Sequence, residues 1–193
     1  MSATSSATLA SRLWPANTTE SQALRAIVLA LGGSLLMWAA AKVQVPFYPV
    51  PMTLQSAAAM LIGLAFGRRL AVATLLLYLA EGAMGLPVFA GTPERGIGLP
   101  YLLGPTGGYL LGFVAVGGIA GWVAERSRHW LATLGGLLGA NVVLYVLGVA
   151  WLAAFIGMEK AVTAGVLPFL LGDAVKLALV VVIAETGLAR LRT

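Results

Sequence analysis

Long apolar runs, separated by short polar or Gly/Pro-rich stretches, dominate the chain after residue 20. Six runs follow one another, at residues 24–43, 53–66, 70–84, 106–124, 131–156 and 165–189. A membrane-spanning helix needs about 20 apolar residues, and backbone groups in lipid must find their hydrogen bonds internally. The pattern therefore predicts an all-α integral membrane protein built as a six-transmembrane-helix bundle.

The punctuation between the runs predicts one membrane domain over residues 1–193. Pro46, Pro49 and Pro51 end the first run, because prolines cannot all continue a helix. Residues 85–103, rich in Gly and Pro, form the longest irregular stretch within the core. Residues 1–20 are rich in Ser, Thr and Ala and lack a signal peptide's apolar core, so we expect a flexible tail, with residues 21–193 as the bundle.

Composition supports the membrane assignment. The chain is 60% hydrophobic and 10% charged, with mean hydropathy +0.93, whereas soluble domains carry about 25% charged residues. The net charge of +5 comes from basic residues scattered singly or in pairs between apolar runs. That pattern is typical of membrane topology rather than of a phosphate-binding patch, so no nucleic-acid partner is expected.

The basic residues outside the spans are divided unevenly between the two membrane faces. One face would hold eight of them: Arg12, Arg25, Arg68, Arg69, Arg126, Arg128, Arg190 and Arg192. The other would hold three: Lys42, Arg95 and Lys160. Because cytoplasmic loops are enriched in Lys and Arg, eight against three predicts cytoplasmic N- and C-termini in the cell's cytoplasmic membrane. The Pro-rich segment 46–51 and the loop 85–103 would then face outward.

Two opposite charges, Asp173 and Lys176, interrupt the sixth apolar run. A charge near the bilayer centre costs about 2.5–3.5 kcal/mol on insertion scales, so such residues usually face a protein interior or a ligand. The i, i+3 spacing places both on one helical face. They are either a ligand-binding pair or a mutually neutralising pair that fixes helix packing.

The inventory of reactive groups disfavours a membrane-embedded enzyme. The chain has no cysteine and one histidine, His129, in a predicted loop. The mid-span carboxylates are Asp173 and Glu81, too few for a di-metal centre. No Walker-type Gly loop is present, so the chain is not expected to hydrolyse ATP, and no cofactor or metal is expected.

Polar and aromatic residues expected near the outer face instead predict a small-molecule pocket around Asp173 and Lys176. The polar set is Gln44, Thr53, Gln55, Glu94, Arg95, Tyr101, Thr106, Tyr109, Asn141 and Tyr145. Phe47 and Trp151 would add aromatic walls. Ten of all these residues are expected to bind the substrate: Phe47, Gln55, Glu94, Arg95, Tyr101, Asn141, Tyr145, Trp151, Asp173 and Lys176. Two other roles stay open: Trp151, Tyr101 and Tyr109 also suit an interfacial belt, and Thr53 suits a cap of the second helix.

Small residues allow helices to approach closely. Ala26 and Ala30 form a small-xxx-small step on the first helix. Such a step serves packing within the bundle or against a partner protein.

Five motifs together carry a family resemblance. They are VPMTLQ at 50–55, GLPVFAG at 85–91, GPTGGY at 104–109, Trp151-Leu152 after Gly148, and Pro168 followed by Gly172-Asp173-x-x-Lys176. In this order and spacing they resemble the BioY family, the biotin-binding S components of energy-coupling-factor (ECF) transporters. The resemblance implies a six-helix protein that captures biotin from outside and passes it inward when docked to a transmembrane coupling protein driven by two ABC-type ATPases.

The resemblance also assigns residues. It implies that Asp173 and Lys176 bind biotin, that the loop 91–101 closes over it, and that Ala26 and Ala30 face the coupling protein. The chain departs from the family at residues 92–98, where many relatives have a glycine-rich run with an Asn. It departs again at Leu110, where some relatives have an Arg.

Biotin's chemistry suits these residues. Asp173 would accept the ureido N–H groups, Lys176 or Arg95 would pair with the carboxylate, and aromatic side chains would cover the bicyclic ring. An autonomous transporter of biotin or a related vitamin, working without ATPases, is the alternative. The absence of a visible inverted repeat argues mildly against it.

Overall fold

The computed structural model of the chain describes residues 9–127 and 129–190, and these form nine helices and one small hairpin. The predicted tail's residues 1–8, and Arg128 and Arg192, lie outside the described residues. In chain order the elements are α1 (Leu9–Leu13), α2 (Thr19–Lys42), β1 (Gln44–Val45), β2 (Met52–Thr53), α3 (Gln55–Phe66), α4 (Arg68–Ala83), α5 (Gly98–Leu102), α6 (Gly107–Arg126), α7 (Trp130–Ile156), α8 (Met158–Gly165) and α9 (Leu170–Arg190).

Helix α6 lies at the centre of the bundle and packs against α3, α4 and α7. Its glycines make this possible, because backbones approach more closely where no side chain intervenes. A Cβ atom on Gly63 of α3 would lie 2.5 Å from the carbonyl oxygen of Gly117. One on Gly121 would lie 2.4 Å from the backbone nitrogen of Arg68. Gly63, Gly117 and Gly121 are therefore packing positions inside the bundle.

The protein is mostly helical and has apolar helices long enough to cross a membrane. Three of the described helices meet that length, α2, α6 and α7, and a fourth span is formed if α8 and α9, bent by 49°, are taken together. Helices α3 and α4 have 12 and 16 residues, or about 18 and 24 Å at 1.5 Å per residue. Length alone thus supports three or four spans rather than the predicted six.

The helix of the sixth predicted run begins later than expected, after a separate short helix. We expected one helix over residues 165–189, but α8 ends at Gly165 and α9 begins at Leu170. Pro168 lies in the turn between them and lacks the N–H that a continuous helix needs there. Asp173 consequently lies in the first turn of α9, where the helix dipole favours a negative charge.

The other differences are short elements inside segments expected to be irregular. Helix α1 lies within the predicted tail, and α5 lies within the predicted loop 85–103. Strands β1 and β2 pair antiparallel, with Gln44 opposite Thr53. This hairpin returns the Pro-rich segment to the bundle immediately before α3.

The connections 43–54 and 84–106 and helix α8 lie at one end of the bundle. There the Trp151 indole donates to the Gly104 carbonyl at 2.9 Å, and the Tyr109 hydroxyl donates to the Gly165 carbonyl at 2.8 Å. At the other end, the Arg68 backbone N–H donates to the Glu125 carboxylate at 2.7 Å. His129 caps α7 at that end by accepting the Leu131 N–H.

Candidate functional site

The carboxylate of Asp173 is the centre of a buried polar cluster. Its Oδ1 lies 2.7 Å from Nζ of Lys176, and its Oδ2 accepts a 2.5 Å hydrogen bond from the Tyr145 hydroxyl. Lys176 also reaches the Ser56 hydroxyl of α3 at 3.5 Å. The side chains of Lys176 and Asp173 are only 12% and 8% exposed. Helices α3, α7 and α9 are thereby joined around one ion pair.

This cluster forms one wall of a cavity at the end of the bundle that carries connections 43–54 and 84–106. The lining residues are Val50, Pro51, Met52, Thr53, Gln55, Ser56, Ala90, Tyr101, Thr106, Tyr109, Leu110, Phe113, Leu144, Tyr145, Phe169, Asp173 and Lys176. Mostly apolar and aromatic walls with a few convergent polar groups are typical of small-molecule sites. The cavity volume is about 60 Å³, below the about 300–1,000 Å³ usual for ligand pockets. A bound vitamin would therefore require the walls to separate.

A chain of hydrogen bonds links the cavity to the connection 84–106. Gln55 accepts from the Thr53 hydroxyl at 3.2 Å and donates through Nε2 to the Tyr78 oxygen at 2.8 Å. The Tyr78 hydroxyl in turn donates to the Val88 carbonyl at 2.9 Å. Since buried polar groups are costly when unpaired, this chain holds the connection against α3 and α4.

Aromatic packing also holds that connection. The ring of Phe89 stacks on that of Tyr101 at 5.0 Å and meets Tyr78 edge-on at 5.5 Å. Gly82 leaves room for it, since a Cβ there would lie 2.0 Å from the Phe89 ring. The Tyr101 hydroxyl donates to the Ala90 carbonyl at 2.6 Å, and burial raises the pKa of this phenol. Tyr101 is therefore a neutral donor at the cavity wall.

Lys42 fastens the same connection to α2. Its Nζ donates to the carbonyls of Pro87, Phe89 and Thr92 at 3.0, 3.3 and 3.1 Å, and to the Thr92 hydroxyl at 3.2 Å. In sequence Lys42 counted only as a basic residue outside the spans. Here it binds the turn that brings Ala90 to the cavity.

Five of the ten residues expected to bind substrate line the cavity: Gln55, Tyr101, Tyr145, Asp173 and Lys176. The geometry of the charged pair fits both of the alternatives left open by the sequence. Asp173 and Lys176 do neutralise each other, yet both remain in the cavity wall. Packing and ligand binding are therefore compatible roles for the pair.

Three of the other five, Phe47, Trp151 and Asn141, do not line the cavity. Phe47 lies one ring further out, with its centroid 6.0 Å from that of Phe169. Trp151 packs on the glycines at the start of α6. A Cβ atom added to Gly108 would lie 2.3 Å from the Cβ atom of Trp151. Asn141 lines a separate cleft between α7 and α9, where its Oδ1 has no hydrogen-bond partner among the described residues.

The last two, Glu94 and Arg95, are exposed on the connection 84–106 and do not line the cavity. Arg95 packs along Gly91, whose φ of 69° is in the glycine-favoured region. The second mid-span carboxylate, Glu81, does not line the cavity either. It accepts a hydrogen bond from the Ser34 hydroxyl of α2.

Several cavity residues did not stand out in the sequence. Ser56, Phe113, Leu144 and Phe169 all line the cavity. Apolar side chains within apolar runs carry no distinguishing signal, and only the position of Phe169 after Pro168 hinted at a helix start. Thr53, Thr106 and Tyr109 belonged to the expected polar set and also line the cavity. Thr53 also accepts the Gln55 N–H at 3.2 Å. It precedes the N-cap residue of α3, which is Leu54, so the role of helix cap expected for Thr53 is not found.

The step formed by Ala26 and Ala30 lies on α2, where both residues are half-buried. Large apolar side chains around them, including Ile27 and Leu31, are more than half exposed. This face of α2 is therefore available to lipid or to another protein.

Comparison with known proteins identifies the family. The model of the BioY family matches residues 10–193. The chain is 44% identical over 145 residues to the probable biotin transporter BioY of Pyrococcus horikoshii, covering 75% of this chain and 85% of that protein. It is 34% identical over 143 residues to the biotin transporter BioY of Thermotoga maritima, covering 74% and 83%.

A solved structure has the same fold. The crystal structure of the S-component for biotin from an ECF-type ABC transporter superposes with a TM-score of 0.77, at 24% identity, over 92% of this chain and 95% of that one. This likeness shows the fold. The match of the family model over residues 10–193 confirms the resemblance carried by the motifs: the chain belongs to the BioY family.

Proposed function

We propose that this protein takes up biotin across the cytoplasmic membrane as the substrate-binding S component of an ECF transporter. The observation that carries the proposal is the Asp173–Lys176 ion pair, which lies in the wall of an aromatic cavity rather than in a solid core. The curated relatives are named biotin transporters. Their names support transport rather than catalysis.

In this proposal the two residues of the ion pair bind different polar groups of biotin. Asp173 accepts the ureido N–H groups, since a carboxylate has about four lone-pair sites and two are in use. Lys176 pairs with the carboxylate of the valerate tail. Arg95 is a weaker candidate for that role, because it is exposed on the connection 84–106 while Lys176 lines the cavity.

The cavity's aromatic rings cover the bicyclic ring system. Tyr109, Phe113, Tyr145 and Phe169 supply the walls, and Leu110 supplies an apolar surface where some relatives have an Arg. Gln55 and Tyr101 complete the set as neutral hydrogen-bonding groups. Trp151 and Phe47 act behind this wall, through Gly108 and Phe169 respectively.

We also propose that the chain is a single membrane domain with six spans and cytoplasmic termini. The short helices α3 and α4 would be the second and third spans, since they meet at Gly67, φ 80°, at the end of the bundle opposite the cavity. The uneven distribution of basic residues supports this orientation. The cavity would then open to the outside.

The transport partners follow from the same proposal. Ala26 and Ala30 on α2 would contact a transmembrane coupling protein driven by two ABC-type ATPases. Uptake of radiolabelled biotin in cells with and without that module distinguishes this from autonomous transport. Uptake that depends on the module supports the S-component role; equal uptake in its absence supports the alternative.

A competition experiment tests the substrate. The purified chain should retain radiolabelled biotin, and desthiobiotin should displace it more effectively than thiamine or riboflavin. Equal displacement by an unrelated vitamin would overturn biotin as the substrate.

A further inference from the structure

A groove between α4 and α6, far from the cavity, combines basic and apolar residues. It has a volume of about 480 Å³ and is lined by Arg68, Val72, Ala115, Gly118, Ile119 and Trp122. Arg68 begins α4, and Trp122 lies near the end of α6, so the basic end of the groove is at the surface of the bundle. From there the groove follows α6 to Ala115, seven residues or about 10 Å along the helix.

A second arginine is held at the rim. The guanidinium carbon of Arg126 lies 4.3 Å from the centre of the Trp122 ring, within the about 6 Å range of a cation–π contact. A stacked guanidinium keeps its N–H donors at its edge, where they can bind a phosphate. Within the described residues, neither Arg68 nor Arg126 forms an ion pair with a carboxylate. The nearby carboxylate of Glu125 accepts the backbone N–H of Arg68.

The rest of the groove is apolar and shallow. Val72, Ala115 and Ile119 supply the walls, and Gly118 keeps the floor open. A Cβ on Gly118 would lie 3.2 Å from Cγ2 of Val72 and would narrow the groove. These residues offer a hydrocarbon chain an apolar surface that runs about 10 Å along α6.

We infer that this groove binds one anionic phospholipid, with the phosphate between Arg68 and Arg126 and an acyl chain along Val72, Gly118 and Ile119. The two parts of the groove match the two parts of such a lipid. Trp122 matches the boundary between them, because tryptophan favours the headgroup region of a bilayer. The inference does not depend on biotin, and in the proposed orientation the site faces the cytoplasmic leaflet, whose anionic lipids attract Lys and Arg.

Lipid titration followed by native mass spectrometry tests the inference on the full chain in a zwitterionic detergent. Phosphatidylglycerol should bind at least tenfold more tightly than phosphatidylcholine with the same acyl chains. Glycerol phosphate, which has the anionic group without the tails, should not bind measurably. Equal binding of the two lipids, or glycerol phosphate binding as tight as phosphatidylglycerol, would overturn the site.

Variants locate the binding. Arg68→Gln and Arg126→Gln should each weaken phosphatidylglycerol binding about fivefold, because one basic residue near an anionic surface contributes about 1 kcal/mol. Arg69→Gln is the matched control, since Arg69 is exposed beside Arg68 but does not line the groove; it should change the affinity less than twofold. Gly118→Val should weaken the binding of both lipids. An Arg69 variant as weak as the Arg68 variant would mean general surface attraction and would contradict the inference.

Biotin binding provides the folding control. Each variant should retain the parent chain's affinity for biotin, because none of the residues that line the groove also lines the cavity. If the lipid result fails while biotin still binds, only the lipid site is overturned.

Discussion

The Tyr145 hydroxyl donates a 2.5 Å hydrogen bond to Oδ2 of Asp173, while Lys176 occupies Oδ1 from the other side. The bond crosses from α7 to α9. Asp173 and Tyr145 line both the cavity and the lateral cleft that contains Asn141. A single hydrogen-bonded contact therefore orients the carboxylate and separates the cavity from the cleft.

Replacing Tyr145 with phenylalanine removes this bond and leaves the ring. A hydrogen bond to a charged group contributes about 1.5–3 kcal/mol, so Tyr145→Phe should lower the biotin affinity about tenfold or more. Isothermal titration with biotin measures the loss. Tyr48→Phe is the control, because Tyr48 is 87% exposed, and it should bind as the parent does. Parent-like affinity in the Tyr145 variant would exclude this bond from ligand recognition.

Lys42→Met should loosen the connection 84–106 without touching the cavity directly. It removes the ammonium group that binds the carbonyls of Pro87, Phe89 and Thr92. Amide hydrogen exchange across residues 87–92 should accelerate, and biotin should dissociate faster. Lys160→Met, at an exposed position of α8, should leave both rates unchanged. Unaltered exchange in the Lys42 variant would show that the tyrosine hydrogen bonds and the aromatic packing hold the connection without Lys42.

Gly108→Ala should destabilise the bundle through overpacking. The added methyl would lie 2.3 Å from Cβ of Trp151 and 2.5 Å from the Leu147 carbonyl. Overpacking of this kind costs about 1–3 kcal/mol, so the unfolding temperature should fall. Gly139→Ala adds the same methyl on α7 with nothing within 4 Å and should be neutral or slightly stabilising, because alanine favours helix. Equal melting of the two variants would contradict the packing described for α6.

The membrane class and the ion pair could be predicted from the sequence because both depend on local patterns. Long apolar runs can be recognised without any tertiary structure, and so can two opposite charges three residues apart, such as Asp173 and Lys176. The break before α9 was missed, although Pro168 was visible, because the surrounding residues are apolar enough to continue a span. Hydropathy reflects the transfer of side chains from water into lipid. It therefore does not reveal where the backbone of an apolar segment leaves the helical conformation.

The cavity wall was harder to predict, for a physical reason. Whether an aromatic residue faces a ligand or another helix depends on which small residues lie opposite it. Trp151 is turned onto Gly107 and Gly108, and the Phe89 ring fills the space over Gly82. These pairings join residues far apart in the chain. Phe169 lines the cavity although Pro168 and Leu170 on either side of it are exposed, so its position depends on the turn between α8 and α9.

Equilibrium binding of biotin to the purified chain, compared between Asp173→Asn and Lys176→Met, tests the central claim most directly. The matched controls are Glu159→Gln and Lys160→Met, an exposed acidic and basic pair on α8. We predict that each cavity variant folds, as judged by its helical circular dichroism and elution, and binds biotin at least tenfold more weakly, while both controls bind as the parent does. Parent-like biotin affinity in both folded cavity variants would contradict the account.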